Sequence, residues 1–321
     1  MDAGNINTVR NILLLNQFSE MLPSPGEALR VVPLKGISLL LDLYKDDYAR
    51  DVGDIDLLVP ARDLQAVIAR LEELGYAFKN RVDDRLRSKR KFDMIHPDAR
   101  RADVDVHVDL VNKKFYRLST GDFTAFALSR LIKPGRDHLD AWRLSPVDEW
   151  LYLAQHYCFH LFSNDKWLTD LYLLQRRFTR EEVAELVAVA ARFHFRRVVT
   201  AVARCLANNY PRDEIKIPAL VAGRHRLFDA LTRPPGRKFA RSLPNRVIAF
   251  YWEFIFIDDP RRRFNAYLQL LVPAPVIFRD IYNRTSKISY ALPLHAAGVL
   301  LTSLLFLPIF YFKCRGRPPR V

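Results

Sequence analysis

Asp54 and Asp56, in Gly53-Asp54-Ile55-Asp56-Leu57-Leu58-Val59, and Asp105, in Val104-Asp105-Val106-His107, are the residues of this chain best suited to chemistry. Apolar and β-branched residues alternate with the acids in both segments, the pattern of a half-buried strand. Side chains two apart on a strand point to one face, with Cα atoms roughly 6.5–7 Å from each other. Asp54 and Asp56 are thereby predicted to stand side by side, and a neighbouring strand can add Asp105. Carboxylates that close repel unless a cation lies between them. Hard, oxygen-seeking Mg²⁺ suits such a set, with Mn²⁺ a second candidate, and two ions about 3.5–4 Å apart serve phosphoryl chemistry. Asp103 and Asp109 share the alternation of Asp105 and could take its place. On this reading Asp56→Asn abolishes turnover and leaves the melting temperature unchanged or raised, because it relieves carboxylate repulsion.

The elements that must position these acids are readable around them. Val31 to Leu41 predicts a short apolar strand that turns at Gly36 into a helix. Glycine there lets a phosphate approach the backbone, and the first free N–H groups of a helix attract anions. Lys35 and Arg50 add positive charge on either side of the turn, and Ser38 either caps the helix or touches phosphate. The Asp-x-Asp strand follows, then a helix from about Asp63 to Leu74, then further strands ending at Asp105.

This ordered set resembles the bacterial uncharacterised nucleotidyltransferase family, part of the superfamily that includes DNA polymerase β. The matching positions are Lys35-Gly36, Tyr44, Arg50, Asp54-x-Asp56 with Leu57-Leu58-Val59, Leu71 to Gly75-Tyr76, and Asp105-x-His107. The superfamily's turn usually carries Gly-Gly or Gly-Ser, where this chain has Lys35-Gly36. The resemblance spans about residues 10–265, most firmly 30–110. It implies an α+β fold with a polymerase β-like head of mixed sheet and flanking helices, to which the chain's own helix signals add an all-helical domain and its composition an apolar C-terminal segment. It also implies metal-dependent transfer of an NMP group from an NTP to a hydroxyl-bearing acceptor, with release of pyrophosphate. Asp54, Asp56 and Asp105 would be catalytic and hold two Mg²⁺ ions, while Lys35, Gly36, Ser38 and Arg50 would bind the nucleotide.

The resemblance extends to His156, His160, Trp167 and Asp170, as contacts to acceptor or phosphate in a cleft between the domains. A polar helix–helix network explains them equally well, and the four-residue step from His156 to His160 is also one that zinc can use. His107 lies two residues beyond Asp105 and would be a base, a phosphate contact, or a partner that orients a carboxylate.

Length and composition agree with two domains. The chain has 321 residues, half of them hydrophobic. Expected divisions are an N-terminal helix over 1–28, a catalytic domain over 29–140, a helical domain over 141–265, and a basic, apolar region over 266–321. Ser145-Pro146-Val147-Asp148-Glu149 starts a helix by its capping serine, first-position proline and early acids. Further helices are predicted over 167–178, 180–195 and 196–208. Three scattered cysteines and a polar N-terminus without a signal-peptide core point to the reducing cytoplasm.

The net charge of +14 is unevenly placed. Residues 30–112 carry 15 basic and 16 acidic side chains, while 221–321 carry 17 against 5. A neutral head makes nucleic acid the weaker partner. The basic end, residues 261–321, fits an anionic membrane surface at the inner face of the cell membrane. Tyr290–Phe312 is a 23-residue run without Asp, Glu, Lys or Arg, able to lie in an interface or cross a bilayer, and a buried helix is its alternative. Arg81–Lys91 holds six basic residues, either a solvated loop or one that closes over the triphosphate. Two other readings of the whole chain are an inactive scaffold of this fold docked at the membrane, and a toxin-like transferase acting on tRNA.

Overall fold

Alternation in three short segments gives one sheet two unlike faces. In the computed structural model, which describes residues 3–23, 29–45, 50–79, 91–111, 122–133, 141–160, 162, 164–221 and 256–271, these segments are β2 (Ile55–Leu58), β4 (Lys91–Ile95) and β5 (Val104–His107). Ile55, Leu57, Phe92, Met94, Val104 and Val106 point one way into the core, and Asp56, Asp93, Asp105 and His107 alternate with them. With β1 (Val32–Leu34) and β3 (Ala77–Phe78), the five strands described run in the order β1-β2-β5-β4-β3. β2 and β5 are parallel, and the other neighbours are antiparallel. This is a mixed sheet with flanking helices, as α+β implies.

The core face is closed by three helices. α1 (Ala3–Met21) contributes Leu14, Leu15, Phe18 and Met21, α2 (Lys35–Leu41) contributes Ile37 and Leu40, and α3 (Leu64–Glu73) contributes Val67 and Leu71. The steps of three and four between these residues put each set on one helix face. Burying apolar side chains of this size is worth about 1.5–3 kcal/mol apiece. The end of α3 explains the Leu71…Gly75-Tyr76 spacing. Tyr76 N donates to Leu71 O at 2.9 Å and Gly75 takes φ +88°, a left-handed helix stop. A β-carbon on Gly75 would lie 2.7 Å from His96 Nε2.

The chain divides into two compact units, Met1–Asn112 with Asp122–Leu153, and Lys113–Gly121 with Ala154–Val321. The first also holds α4 (Phe123–Ser129) and the start of α5 (Pro146–Phe159). Ser145 caps α5, its Oγ accepting from Asp148 N at 3.2 Å. In the second unit lie α6 (Asp165–Arg177), α7 (Arg180–Arg192), α8 (Arg196–Asn209) and α9 (Pro260–Leu271). Phe256, fully buried, packs edge-on against Phe159 and Phe162, and Asp258 accepts from the N–H groups of Arg196 and Arg197 at the start of α8, both at 2.8 Å.

Two expectations shift by a few residues. The strand with the paired acids begins at Ile55, where pairing with β5 begins, so Asp54 sits on the bend before it. The N-terminal helix ends at Met21. The basic residues Arg81, Arg85, Arg87, Lys89 and Arg90, and the apolar run 290–312, fall outside the described residues. Among the described residues no helix is long and apolar enough to cross a membrane.

Candidate active site

Register brings the acids together. Asp56 of β2 is the direct partner of Asp105 on the parallel strand β5, and Asp105 is the partner of Asp93 on β4. Three carboxylates thus form one row across three adjacent strands, on the face opposite the core. In the next row, His107 pairs with Lys91. Ligand atoms of Asp56, Asp105 and His107 lie within 4.8 Å of one another, the one group of this kind among the described residues.

Two ammonium groups balance the row. Lys35 Nζ donates to Asp56 Oδ1 at 2.6 Å, and Lys91 Nζ lies 2.5 Å from Asp105 Oδ2 and 3.5 Å from Asp93 Oδ1. His107, buried, makes a 3.0 Å hydrogen bond through Nε2 to the same Asp56 oxygen that Lys35 holds. Burial pushes the Asp56 carboxyl up, but the His107 hydrogen bond and the Lys35 charge overcome this and hold it at about 2. Asp56 is therefore an acceptor only, and His107 must be the donor. Burial also holds the imidazole below its ordinary pKa, so it is neutral with its proton on Nε2. Among the described residues, nothing hydrogen-bonds its Nδ1.

Asp105 goes the other way. Burial, helped by the charge of Asp56, raises its carboxyl to about 6, although the Lys91 contact pulls it down. Burial would lower Lys91, but its hydrogen bond to Asp105 more than compensates and its pKa rises. Tyr152 of α5 lies beside His107. Its ring meets His107 edge-on at 6.5 Å, and burial with the charges of Asp56, Asp105 and Asp54 keeps its hydroxyl protonated.

The turn into α2 departs from expectation in an informative way. The left-handed residue is Lys35, with φ +48°, and Gly36 follows it inside the helix. A non-glycine residue in this region is strained, and such strain gathers at functional sites. Here it accompanies the Nζ contact to Asp56. Gly36 is needed for space: a β-carbon there would lie 2.5 Å from Val52 Cγ1 and 3.2 Å from an Arg50 guanidinium nitrogen. Arg50 is buried against that glycine, and its carbonyl accepts from Asn11 Nδ2 at 2.6 Å. Ser38 is not the cap, since Leu34 holds the N-cap position and Ser38 is buried within the helix.

Of the other acids, Asp54 is exposed on the bend and outside the three-residue cluster. Asp103 is half exposed and pairs with Lys79, and Asp109 accepts from Val111 N at 3.1 Å and from the Thr124 hydroxyl. Neither joins the row, which leaves Asp105 as the β5 carboxylate. In the second unit His156, His160 and Trp167 do come together, the imidazoles 4.3 Å apart and each edge-on to the indole at 4.5 and 5.1 Å. Asp170 is buried three residues further along α6. Sequence reasoning placed Lys91 in the basic run and not on a strand beside Asp105, and it missed Asp93 and Tyr152. The alternation Lys91-Phe92-Asp93-Met94 was the available signal for the first two.

Oxygen donors of this kind fit a hard divalent cation. That two ammonium nitrogens already sit against Asp56 and Asp105 shows that the carboxylates need positive charge beside them.

The sheet thus carries aspartates in register on adjacent strands, with a lysine turn entering α2. The family model described as Uncharacterised nucleotidyltransferase matches residues 2–211, and the chain belongs to that family. The match stops short of the 10–265 span expected from the motifs, so residues 212–265 are not part of it. No curated protein and no solved structure matches the chain.

Proposed function

We propose that this transferase moves an NMP group from an NTP to a hydroxyl-bearing acceptor and releases pyrophosphate, using two Mg²⁺ ions, with Mn²⁺ as a substitute. The observation that carries this reading is the register pairing of Asp56 with Asp105, each held against a lysine ammonium. Asp56 and Asp105 would hold the ions, with exposed Asp54 reaching in from the bend. When bound, divalent cations neutralise phosphate charge and lower the pKa of the acceptor hydroxyl.

The chain's own groups supply the rest. Asp105 would also draw the acceptor's proton. The acceptor oxygen bonds to the α-phosphorus, the α–β bridging P–O bond breaks, and pyrophosphate leaves with the electron pair. Lys35 and Arg50 offset the charge of the triphosphate, with Gly36 and Ser38 in the turn beside it. His107 keeps Asp56 oriented through its hydrogen bond. His156, His160 and Asp170 are our candidates for acceptor contacts.

We further propose that an all-helical domain over 141–265 follows the head over 29–140, and that residues 261–321 dock on the anionic inner face of the cell membrane. Supporting the latter, α9 exposes Phe264 and Leu268, four residues apart, at 61% and 44%, beside Arg261 and Arg262.

The test is the thermal stability of the full chain with each of the four NTPs, with and without Mg²⁺. A stabilisation that requires both metal and one nucleotide, and is lost in Asp105→Asn, is expected. No shift at saturating nucleotide would defeat the reading.

A further inference from the structure

We propose that Lys91 is the resting counter-ion of Asp105 and yields that carboxylate to a divalent cation, shifting onto Asp93 as it does so. The inference rests on the metal-dependent reading above and adds Lys91 and Asp93, which that reading does not use.

Three features single out Lys91. The first is position. Lys91 opens β4 and projects to the same face as Asp93, two residues on, with its Nζ already between two carboxylates at 2.5 and 3.5 Å. A small side-chain rotation moves it from one acid to the other without breaking a strand hydrogen bond.

The second is freedom. The Lys91 side chain is 34% exposed, against 12% for Lys35. Lys35 is fixed by its left-handed backbone and shares Asp56 Oδ1 with His107. Of the two ammonium groups, Lys91 is the one built to leave.

The third is charge. Asp56, Asp105 and Asp93 stand on neighbouring strands in one row, and among the described residues Lys35 and Lys91 are the cations in contact with it. A cation that takes Asp105 displaces an ammonium of like sign, so the two compete for one carboxylate. Asp93 retains the displaced lysine at the edge of the site, where it can meet an incoming phosphate. Lys91 is in this sense a positioning residue: it sets how much metal the site needs before Asp105 is free.

The experiment is Mn²⁺ binding to the full chain at neutral pH, followed by calorimetry and by the loss of the free-ion electron paramagnetic signal. An opposite charge in contact shifts a carboxylate equilibrium by about tenfold or more, and the low end applies to a partly exposed lysine. Lys91→Met should therefore bind Mn²⁺ about tenfold more tightly than wild type. Lys91→Arg, which keeps the charge, should restore weak binding. Asp93→Asn should weaken binding in the wild-type background, because Lys91 then rests on Asp105 alone, and should have no effect in the Lys91→Met background.

Lys91→Met binding equal to or weaker than wild type overturns the proposal. An Asp93→Asn effect that persists without Lys91 also overturns it, since Asp93 would then act on the ion directly. Failure of the metal reading itself looks different: Asp105→Asn would bind Mn²⁺ as well as wild type. Should Lys91→Met fail to fold, Lys91→Gln removes the same charge and carries the same expectation.

Discussion

Asp56 and Asp105 are direct partners on parallel strands, yet one carboxyl is held at about 2 and the other at about 6. The difference comes from what each touches. Asp56 receives both Lys35 and a His107 N–H on one oxygen, whereas Asp105 is half-buried beside an ionised neighbour with Lys91 as its cation. Removing the two charges should thus move stability in opposite directions. Asp56→Asn leaves Lys35 without its carboxylate and should cost about 2 kcal/mol at neutral pH, from the size of the Asp56 shift. Asp105→Asn should leave stability unchanged or raised. Both should lose activity by at least about a hundredfold. Urea melts of the two variants check the signs. The expectation from sequence, that Asp56→Asn is neutral or stabilising, requires carboxylate repulsion to outweigh the contacts of Asp56 with Lys35 and His107.

The same acidities set a pH dependence. The folded pKa of Asp105, about 6, lies above its ordinary 3.8, so the folded state binds this proton more tightly than the unfolded chain. Its contribution to stability is full below the ordinary value and is lost as pH rises through about 6. Asp56 works in reverse, its contribution present above 3.8 and lost as pH falls towards about 2. Asp258, half-buried at the start of α8, is also raised to about 6 and acts in the same window as Asp105. Comparing wild type with Asp105→Asn cancels Asp258. The melting temperature of wild type should fall relative to that variant between pH 3.8 and about 6, and run parallel to it above. Parallel curves throughout would remove Asp105 from the role assigned to it.

Much of this site was legible because strand alternation has a short period. Asp56, Asp105 and the apolar residues between them declared both face and partner, and Ser145-Pro146 declared the start of α5. What was not legible depended on register and backbone. Nothing in Lys91-Phe92-Asp93 says that β4 lies beside β5 rather than at the far edge, so Asp93 was missed and Lys91 was read as part of the basic run instead of as the partner of these acids. Lys35-Gly36 points to the glycine as the unusual residue, whereas the chain spends its left-handed conformation on the lysine. Only the packing of Val52 and Arg50 reveals why glycine is needed next to it.

That packing makes Gly36 testable. An added methyl at 2.5 Å from Val52 Cγ1 must displace a buried, β-branched side chain with few alternative rotamers. Gly36→Ala should cost about 1–3 kcal/mol, the usual range for overpacking. Val52→Ala makes room for it, so the double variant should be less destabilised than the sum of the two singles. Additive losses would mean that the methyl disturbs α2 through its backbone instead. Activity of the double variant then reports whether the guanidinium of Arg50, 3.2 Å from the same point, keeps its place.

The exposed face of α9 gives the membrane proposal its own test. Phe264 and Leu268 stand one helical turn apart with Arg261 and Arg262 at the start of the same helix, so insertion of the apolar pair brings cationic groups to the headgroups. Arg262 is 3.9 Å from Asp259, which lowers its net pull, and half-buried Arg263 is held back against the Ile257 carbonyl at 2.6 Å, whereas Arg261 is exposed. Arg261 should therefore contribute most of the helix's electrostatic attraction, about 1 kcal/mol at low salt. The full chain should sediment with phosphatidylcholine vesicles that contain phosphatidylserine and stay in solution without it. Arg261→Glu should weaken this binding and flatten its salt dependence, whereas Phe264→Ser should weaken it with the salt dependence intact. Wild-type binding in both variants would take α9 out of the interface and leave any attachment to residues beyond it.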